Sequence, residues 1–414
     1  MKKATATGSP NIIYKIVFVF IVVVSLHFWD LRGIPQKDTP ENILVWVFTG
    51  FCFIMVSYKK NLRFRVPIVV FLTGLVLNAL ASFLNLNQGP VLSLLSYSYY
   101  YFIFLYFSLH YFEIDRKFLE NLIIVFAIIY SIIFTIQYKI YPFILFNDNP
   151  KTALDSSQYE ILGHGFLMLA YFLVLNRYLL THKMIYIFMG LAFFMVQMKS
   201  DFRTLIAGAI IITFLMILKL VKLNGRDVLI LFVLMIMFAG LSQYKGVSYI
   251  LNKMTTQTES NISEGKKYVR MIQMEYFFKR YPRNFSYYII GGGKPAGAKN
   301  LYSYNPYAMD PTYAGNYNIV WVDIGLLGFY IVVGGVTVLG MLWYTLKAVF
   351  TKVPREYSYL SFYFLYLFIV SFTNEEIFRN GIFTVQAIAL YLIDKSANDI
   401  LNPKSEDSHE VQRI

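Results

Sequence analysis

SEGKKYVRMIQMEYFFKRYPRN, residues 263–284, and IVWVDIGLLGFYIVV, residues 319–333, stand on either side of the boundary that decides the fold. The first belongs to the one long polar segment of the chain, about 245 to 317. The second is where the chain turns apolar again, with Asp323 as its single charge. Between them come Gly291, Gly292, Gly293 and Lys294, then a tyrosine-rich stretch that closes on DPTYAGNYN, residues 310–318. The polar segment carries ten Lys or Arg against four acidic residues, a net charge of +6. A positive segment tied to many apolar runs suggests an anionic ligand handled at a membrane surface.

Outward from that boundary the chain is apolar. Of 414 residues 57% are hydrophobic and 18% aromatic, and only 15% are charged, far from the balance of a soluble domain. The expectation is an integral membrane protein. A net charge of +13 invites a nucleic-acid reading, but the basic residues fall in short clusters between apolar runs, where they act as topology signals. No nucleic-acid module is present. Cys52 is the single cysteine, so no disulfide or cysteine metal site can form within one chain.

A helix needs roughly 20 apolar residues to cross a bilayer. On that ruler the sequence offers about twelve spans, near 12–30, 43–58, 66–86, 91–112, 119–141, 161–178, 184–199, 204–221, 228–244, 318–346, 357–373 and 381–395. The expected fold is all-α and polytopic: residues 1–244 hold nine spans, 245–317 a large outer loop with an amphipathic helix, 318–395 three more spans, and 396–414 a polar tail. The first run follows Lys2 and Lys3 without a small-residue cleavage site and is expected to stay as an anchor. Lys59, Lys60, Arg63, Arg65, Arg116, Lys117, Arg177, Lys183, Lys347, Lys352, Arg355 and Lys395 all fall on one side of this arrangement. The positive-inside rule makes that side cytoplasmic, with both termini. The basic loop is then outside, away from ATP and nucleotide sugars. Chemistry there needs a substrate that carries its own leaving group.

Several polar groups are candidates for that chemistry. Ser263 as N-cap and Pro282 as stop predict a helix over about 264–280, with Met271, Met274, Phe278 and Tyr281 on one side and Lys266, Arg270, Gln273 and Arg280 on another. It is read either as an interfacial helix on lipid headgroups or as a substrate-binding element. Gly291 to Lys294 does not match a phosphate-binding GxxxxGK[ST] loop, and a sharp turn using glycine φ freedom is the better reading. In KSDFRTLIAG, residues 199–208, Asp201 and Arg203 stand at the outer mouth of a span. They are an interface mark or, since arginine grips phosphate with a planar donor fork, a diphosphate contact through Arg203. TNEEIFRNG, residues 373–381, gathers Glu375, Glu376 and Arg379, and reads first as a solvated loop. Asp323 is costly inside lipid unless it faces a cavity, a partner or the interface.

These features together resemble the O-antigen polymerase and ligase families of bacterial surface-polysaccharide assembly. The resemblance rests on about twelve spans with one late outer loop, an S-x-x-R start to a span (Ser200 to Arg203), Arg270 followed by aromatics and a Pro282-to-Gly291 turn, and D-x-G-L-L-G from Asp323 to Gly328. It covers roughly residues 195–345. Ligases of this superfamily are expected to carry a histidine near the end of the large loop, where this chain reads TYAGNYN, so the resemblance favours a polymerase.

It implies a glycosyltransferase of GT-C-like architecture in the bacterial inner membrane, with its active site facing the periplasm, that needs no metal or other cofactor. The growing glycan would move from undecaprenyl diphosphate to the non-reducing end of a lipid-linked repeat unit. Its partners would be that lipid-linked oligosaccharide, membrane lipid and a chain-length regulator. Arg203 and Arg270 would stabilise the leaving diphosphate, with Arg280 and Lys294 nearby. Asp310 is the first candidate for the base on the acceptor hydroxyl, with Asp201 or Glu376 in reserve. Tyr302, Tyr304, Tyr307 and Tyr313 would stack on sugar rings or, equally, anchor the loop at the membrane interface, and Asp323 would line the site. A transporter or a ligase is the alternative.

Overall fold

The computed structural model describes residues 12–26, 40–59, 62–140, 163–199, 203–220, 269–282, 284–294 and 321–401. Among these residues every regular element is a helix. In chain order they are α1 (Ile12–Leu26), α2 (Pro40–Lys59), α3 (Arg65–Leu86), α4 (Pro90–Leu95), α5 (Leu105–Phe112), α6 (Arg116–Ile140), α7 (His164–Thr181), α8 (Met184–Lys199) and α9 (Arg203–Leu220). After the polar segment begins come α10 (Val269–Lys279), α11 (Ser286–Ile290), α12 (Gly325–Val333), α13 (Gly335–Phe350), α14 (Ser358–Val370) and α15 (Ile382–Leu401). Tighter 3-10 turns lie at Ser98–Phe104, Trp321–Ile324, Arg355–Tyr357 and Glu376–Phe378.

Helices α3, α6 and α9 are long and apolar enough to cross a membrane. Their apolar character does not stop at the face they bury. Val125, Ile128, Ile132 and Ile136 run down the exposed side of α6, and Ile211, Phe214 and Leu218 down that of α9. In water such stripes would be a large unpaid apolar surface, whereas in lipid they are the expected outer face.

Two of the apolar runs expected as single spans are interrupted. The run 91–112 is α4, a 3-10 turn and α5 in succession. Its middle reads SYYYFIF, rich in aromatic residues that lose side-chain freedom in a helix. The run 318–346 breaks at Gly334, whose φ of +89° an L side chain rarely adopts. The run 228–244 and the first residues of the amphipathic helix lie outside the described residues.

The break at Gly334 frees the last carbonyls of α12, and each finds a donor. Tyr330 O accepts from Gly334 N at 2.9 Å, Ile331 O from Gly292 N at 3.1 Å, and Val332 O from Gly293 N at 3.1 Å. Asn78 Nδ2 donates to Val332 O as well, at 2.8 Å, and Thr337 Oγ1 donates to Val333 O at 3.0 Å. An interrupted helix survives in an apolar setting only with such substitution. Gly291 and Gly293 adopt φ of +84° and +102° to deliver it, so the glycine triplet is a sharp turn that caps a broken helix.

Helix α13 then runs antiparallel to α3 at close range. A Cβ on Gly74 would meet the Thr337 backbone, and one on Gly340 the Phe71 backbone. Small residues at the crossing bring the two main chains together, the usual means of helix association where lipid removes any hydrophobic drive. Farther along, Lys347 Nζ donates to Arg63 O at 2.7 Å.

The polar contacts sort to the two ends of the bundle. One end ties Arg63 and His110 to Asp394, Arg116 to Asp399, and Arg177 to Glu120. It gathers several of the cations that the sequence places on one side. The other end holds the loop after α14, the start of α7 and the glycine turn.

Candidate functional site

The segment between α14 and α15 is the hub of that second end. Ser371 Oγ accepts from Ile377 N at 2.8 Å and Ser371 O from Leu326 N at 2.8 Å, which fixes the segment against the start of α12. Phe378 stacks on Phe329 with centroids 4.3 Å apart and on Trp321 at 5.8 Å. Asn374 Nδ2 donates to Thr204 Oγ1 at 3.4 Å, tying the hub to the first turn of α9. Arg203, the residue before Thr204, therefore opens α9 beside the hub and is half-buried there.

Inside the hub Glu376 is 0% exposed, which overturns the reading of TNEEIFRNG as a solvated loop. One of its oxygens lies 2.7 Å from His164 Nδ1 and the other accepts from Arg379 at 3.3 Å. Glu375 lies 3.7 Å from Arg379 Nε. Burial works against the Glu376 charge, but the His164 contact and Arg379 outweigh it and hold the carboxyl below its ordinary value. The other ring nitrogen of His164 meets Gln197 Oε1 at the end of α8. Gly163, at φ +103°, turns the chain so that α7 can begin on this histidine.

Both oxygens of Glu376 face protein groups. They hold His164 and Arg379.

Lys294 sits a short way off, where the glycine turn meets the interrupted run. Its backbone N–H donates to Ser82 Oγ at 2.9 Å and Tyr97 Oη at 3.2 Å. Its ammonium lies 4.5 Å from the ring centre of Tyr100 and 5.7 Å from that of Tyr97, a cation–π setting. Burial lowers its pKa to about 8, with the nearby Glu375 charge acting against that fall. A lysine so placed offers a cation that changes charge near neutral pH.

The remaining candidates occupy the rim. Asp323, exposed on its 3-10 turn, accepts from Gln273 Nε2 of α10 at 3.1 Å. Helix α10 docks through Gln273, Tyr276 and Phe277, which are buried, and turns Met271 outward. Arg270 lies half-buried on its first turn, and Arg280 is exposed just beyond its end. Asp201, Asp310 and Tyr313 lie outside the described residues, as do Tyr302, Tyr304 and Tyr307.

The structure thus brings Arg203, Lys294, Asp323 and Glu376 to elements that touch one hub. It adds His164, Gln197 and Asn78, to which the sequence had assigned no role. His164 had a legible signal, since it interrupts the apolar run ILGHGFLML and a buried ionisable residue is costly. Gln197 and Asn78 had none, because a lone amide in an apolar run is indistinguishable from one facing a headgroup. Among the described residues no three His, Cys, Asp or Glu side chains are gathered to share a metal ion. Compared with protein families, curated proteins and solved structures, the chain matches none.

Proposed function

We propose that this chain is a polysaccharide polymerase of the cytoplasmic membrane, working on its outer face. It transfers a growing glycan from undecaprenyl diphosphate to the non-reducing end of the next lipid-linked repeat unit. The observation that carries this reading is the set of cations around one hub, Arg203, Lys294 and Arg379, at one end of an otherwise apolar bundle. Charge grows on the diphosphate as it leaves, and fixed cations in a partly dry site stabilise that charge more in the transition state than in the ground state. Glu376 and His164 keep Arg379 in place. Arg270 supplies a further cation from the rim, and Asp310 remains the candidate base. The topology of about twelve spans with both ends inside belongs to the same proposal.

The test is gel analysis of surface polysaccharide from a strain lacking the gene, complemented with wild type or with Arg203→Ala or Arg270→Ala. The wild type restores a ladder, and each variant gives single repeat units while remaining inserted. Normal ladders from both variants would sink the assignment. Loss of every core-attached unit in the deletion strain would move it to the ligase.

One observation favours transport instead. Two interrupted runs meet at Lys294, through Tyr97 and Tyr100 on one side and the capped end of α12 on the other. Paired broken helices are a transporter feature. Flux of lipid-linked oligosaccharide across proteoliposomes, without glycan elongation, would establish that reading.

A further inference from the structure

A second polar site lies at the opposite end of the bundle, away from the hub. Trp343, Leu346, Lys347 and Phe350 follow one face of α13 at intervals of three and four residues, and Thr351 and Lys352 continue it. Ala397 and Ile400 of α15 form the facing wall, with Arg63 at the start of α3. Together they enclose an open groove of about 540 Å³. Its wall is apolar and outward-facing: Trp343, Leu346, Phe350 and Ile400 are all exposed.

The cations at its mouth are incompletely used. Lys347 gives one of its three N–H donors to Arg63 O. Arg63 Nε lies 3.5 Å from Asp394 Oδ1 yet makes no hydrogen bond, although it is shut off from solvent. Asp394 is shared with His110, at 3.3 Å, and Tyr106, at 2.6 Å. Lys352 is exposed. Opposing charge is smaller: one buried carboxylate, plus about half a negative charge from each of the two helix C-termini, α13 and α15. Three cations leave a net positive mouth above an apolar wall.

From this we infer that the groove binds an anionic phospholipid of the surrounding bilayer, its phosphate on Arg63, Lys347 and Lys352 and an acyl chain along Trp343, Leu346 and Phe350. The chemistry complements at both ends. An arginine fork and a lysine suit phosphate oxygens, and the aromatic wall suits a hydrocarbon chain. The inference requires that the bundle lies in a membrane and is independent of the reaction proposed at the other end.

Trp343 reports on its own groove, because the chain has only four tryptophans. The full-length protein with Trp29→Phe, Trp46→Phe and Trp321→Phe is reconstituted in vesicles of neutral phosphatidylcholine with a minor share of phosphatidylglycerol, one or the other brominated. Brominated phosphatidylglycerol is expected to quench Trp343 far beyond its share of the bilayer. Lys352→Gln should lower that preference about fivefold, in line with about 1 kcal/mol per basic residue at a membrane surface. Lys347→Gln should do the same, and Lys347→Arg should keep the preference, which separates lost charge from a lost fold. Quenching in proportion to bilayer share, or an unchanged preference in the Lys347→Gln, Lys352→Gln double variant, would overturn the inference. So would displacement by inorganic phosphate, which would make the site one for a free anion, or by a polyprenyl phosphate but not by unbrominated phosphatidylglycerol.

Discussion

At the scale of single residues the hub depends on a carboxylate that burial alone would neutralise. Glu376 stays charged because His164 and Arg379 lie against it, so neither partner can be removed cheaply. Leaving one member of a buried pair alone costs about 3–5 kcal/mol. Glu376→Gln is expected to destabilise the protein by about 3–5 kcal/mol at neutral pH, seen as a lower apparent melting temperature in detergent. The sign of the pH dependence follows from the depressed carboxyl. The group's stabilisation is fully present above the unfolded value of 4.5 and is lost as pH falls below that through the lower folded value. The gap between wild type and Glu376→Gln should therefore be widest near neutrality and shrink on acidification below 4.5. A gap of constant size down to pH 3 would show that the Glu376 charge contributes nothing. Glu376 was visible as a residue of interest in TNEEIFRNG, but its burial was not, because the partner that allows it, His164, is 212 residues away in the chain.

At the scale of elements the interrupted helix at Gly334 is the feature with the most consequences. Its freed carbonyls are satisfied by the glycine turn at 291–293 and by Asn78 on α3, so three segments fold as one unit. Asn78 donates to Ile290 O as well as to Val332 O. Asn78→Leu takes the side-chain donor from Ile290 O and leaves Val332 O with the Gly293 N–H alone, at about 1–3 kcal/mol for a group left unsatisfied in a dry place. Gly291→Ala meets a φ of +84° and the Val332 carbonyl together, and should destabilise by more than the roughly 1 kcal/mol that a glycine-to-alanine change can gain at a compatible site. Both variants should melt early and expose α12 to proteolysis. Gly50→Ala, in the open middle of α2, is the control and should be neutral or slightly stabilising. Wild-type melting of Asn78→Leu would mean that the break is capped some other way. A span count from hydropathy cannot find such a break, since two uncharged glycines among valines barely lower the average over a window of about 20 residues.

At the scale of the whole molecule the two polar ends are separated by an apolar bundle whose outer face is also apolar. The proposed topology makes the hub end external and the Arg63 end cytoplasmic. With Cys52 buried, single cysteines report the two ends. Asn380→Cys, on an exposed position of the hub, should react with a membrane-impermeant maleimide in spheroplasts, and Lys352→Cys only after permeabilisation. The reverse pattern would invert the protein and end the case for a periplasmic polymerase. By itself the amino-acid sequence determined the all-helical class, the places where most helices begin and end, and which ends carry cations, because each of these follows from the composition of a local stretch. Tertiary structure alone decided that two runs are broken, that Glu376 is buried on His164, that Asp323 meets Gln273, and that Arg63, Lys347 and Lys352 share a groove. Those outcomes depend on which side chains meet across helices far apart in the chain, and on whether a freed carbonyl finds a donor. No local pattern encodes such pairings.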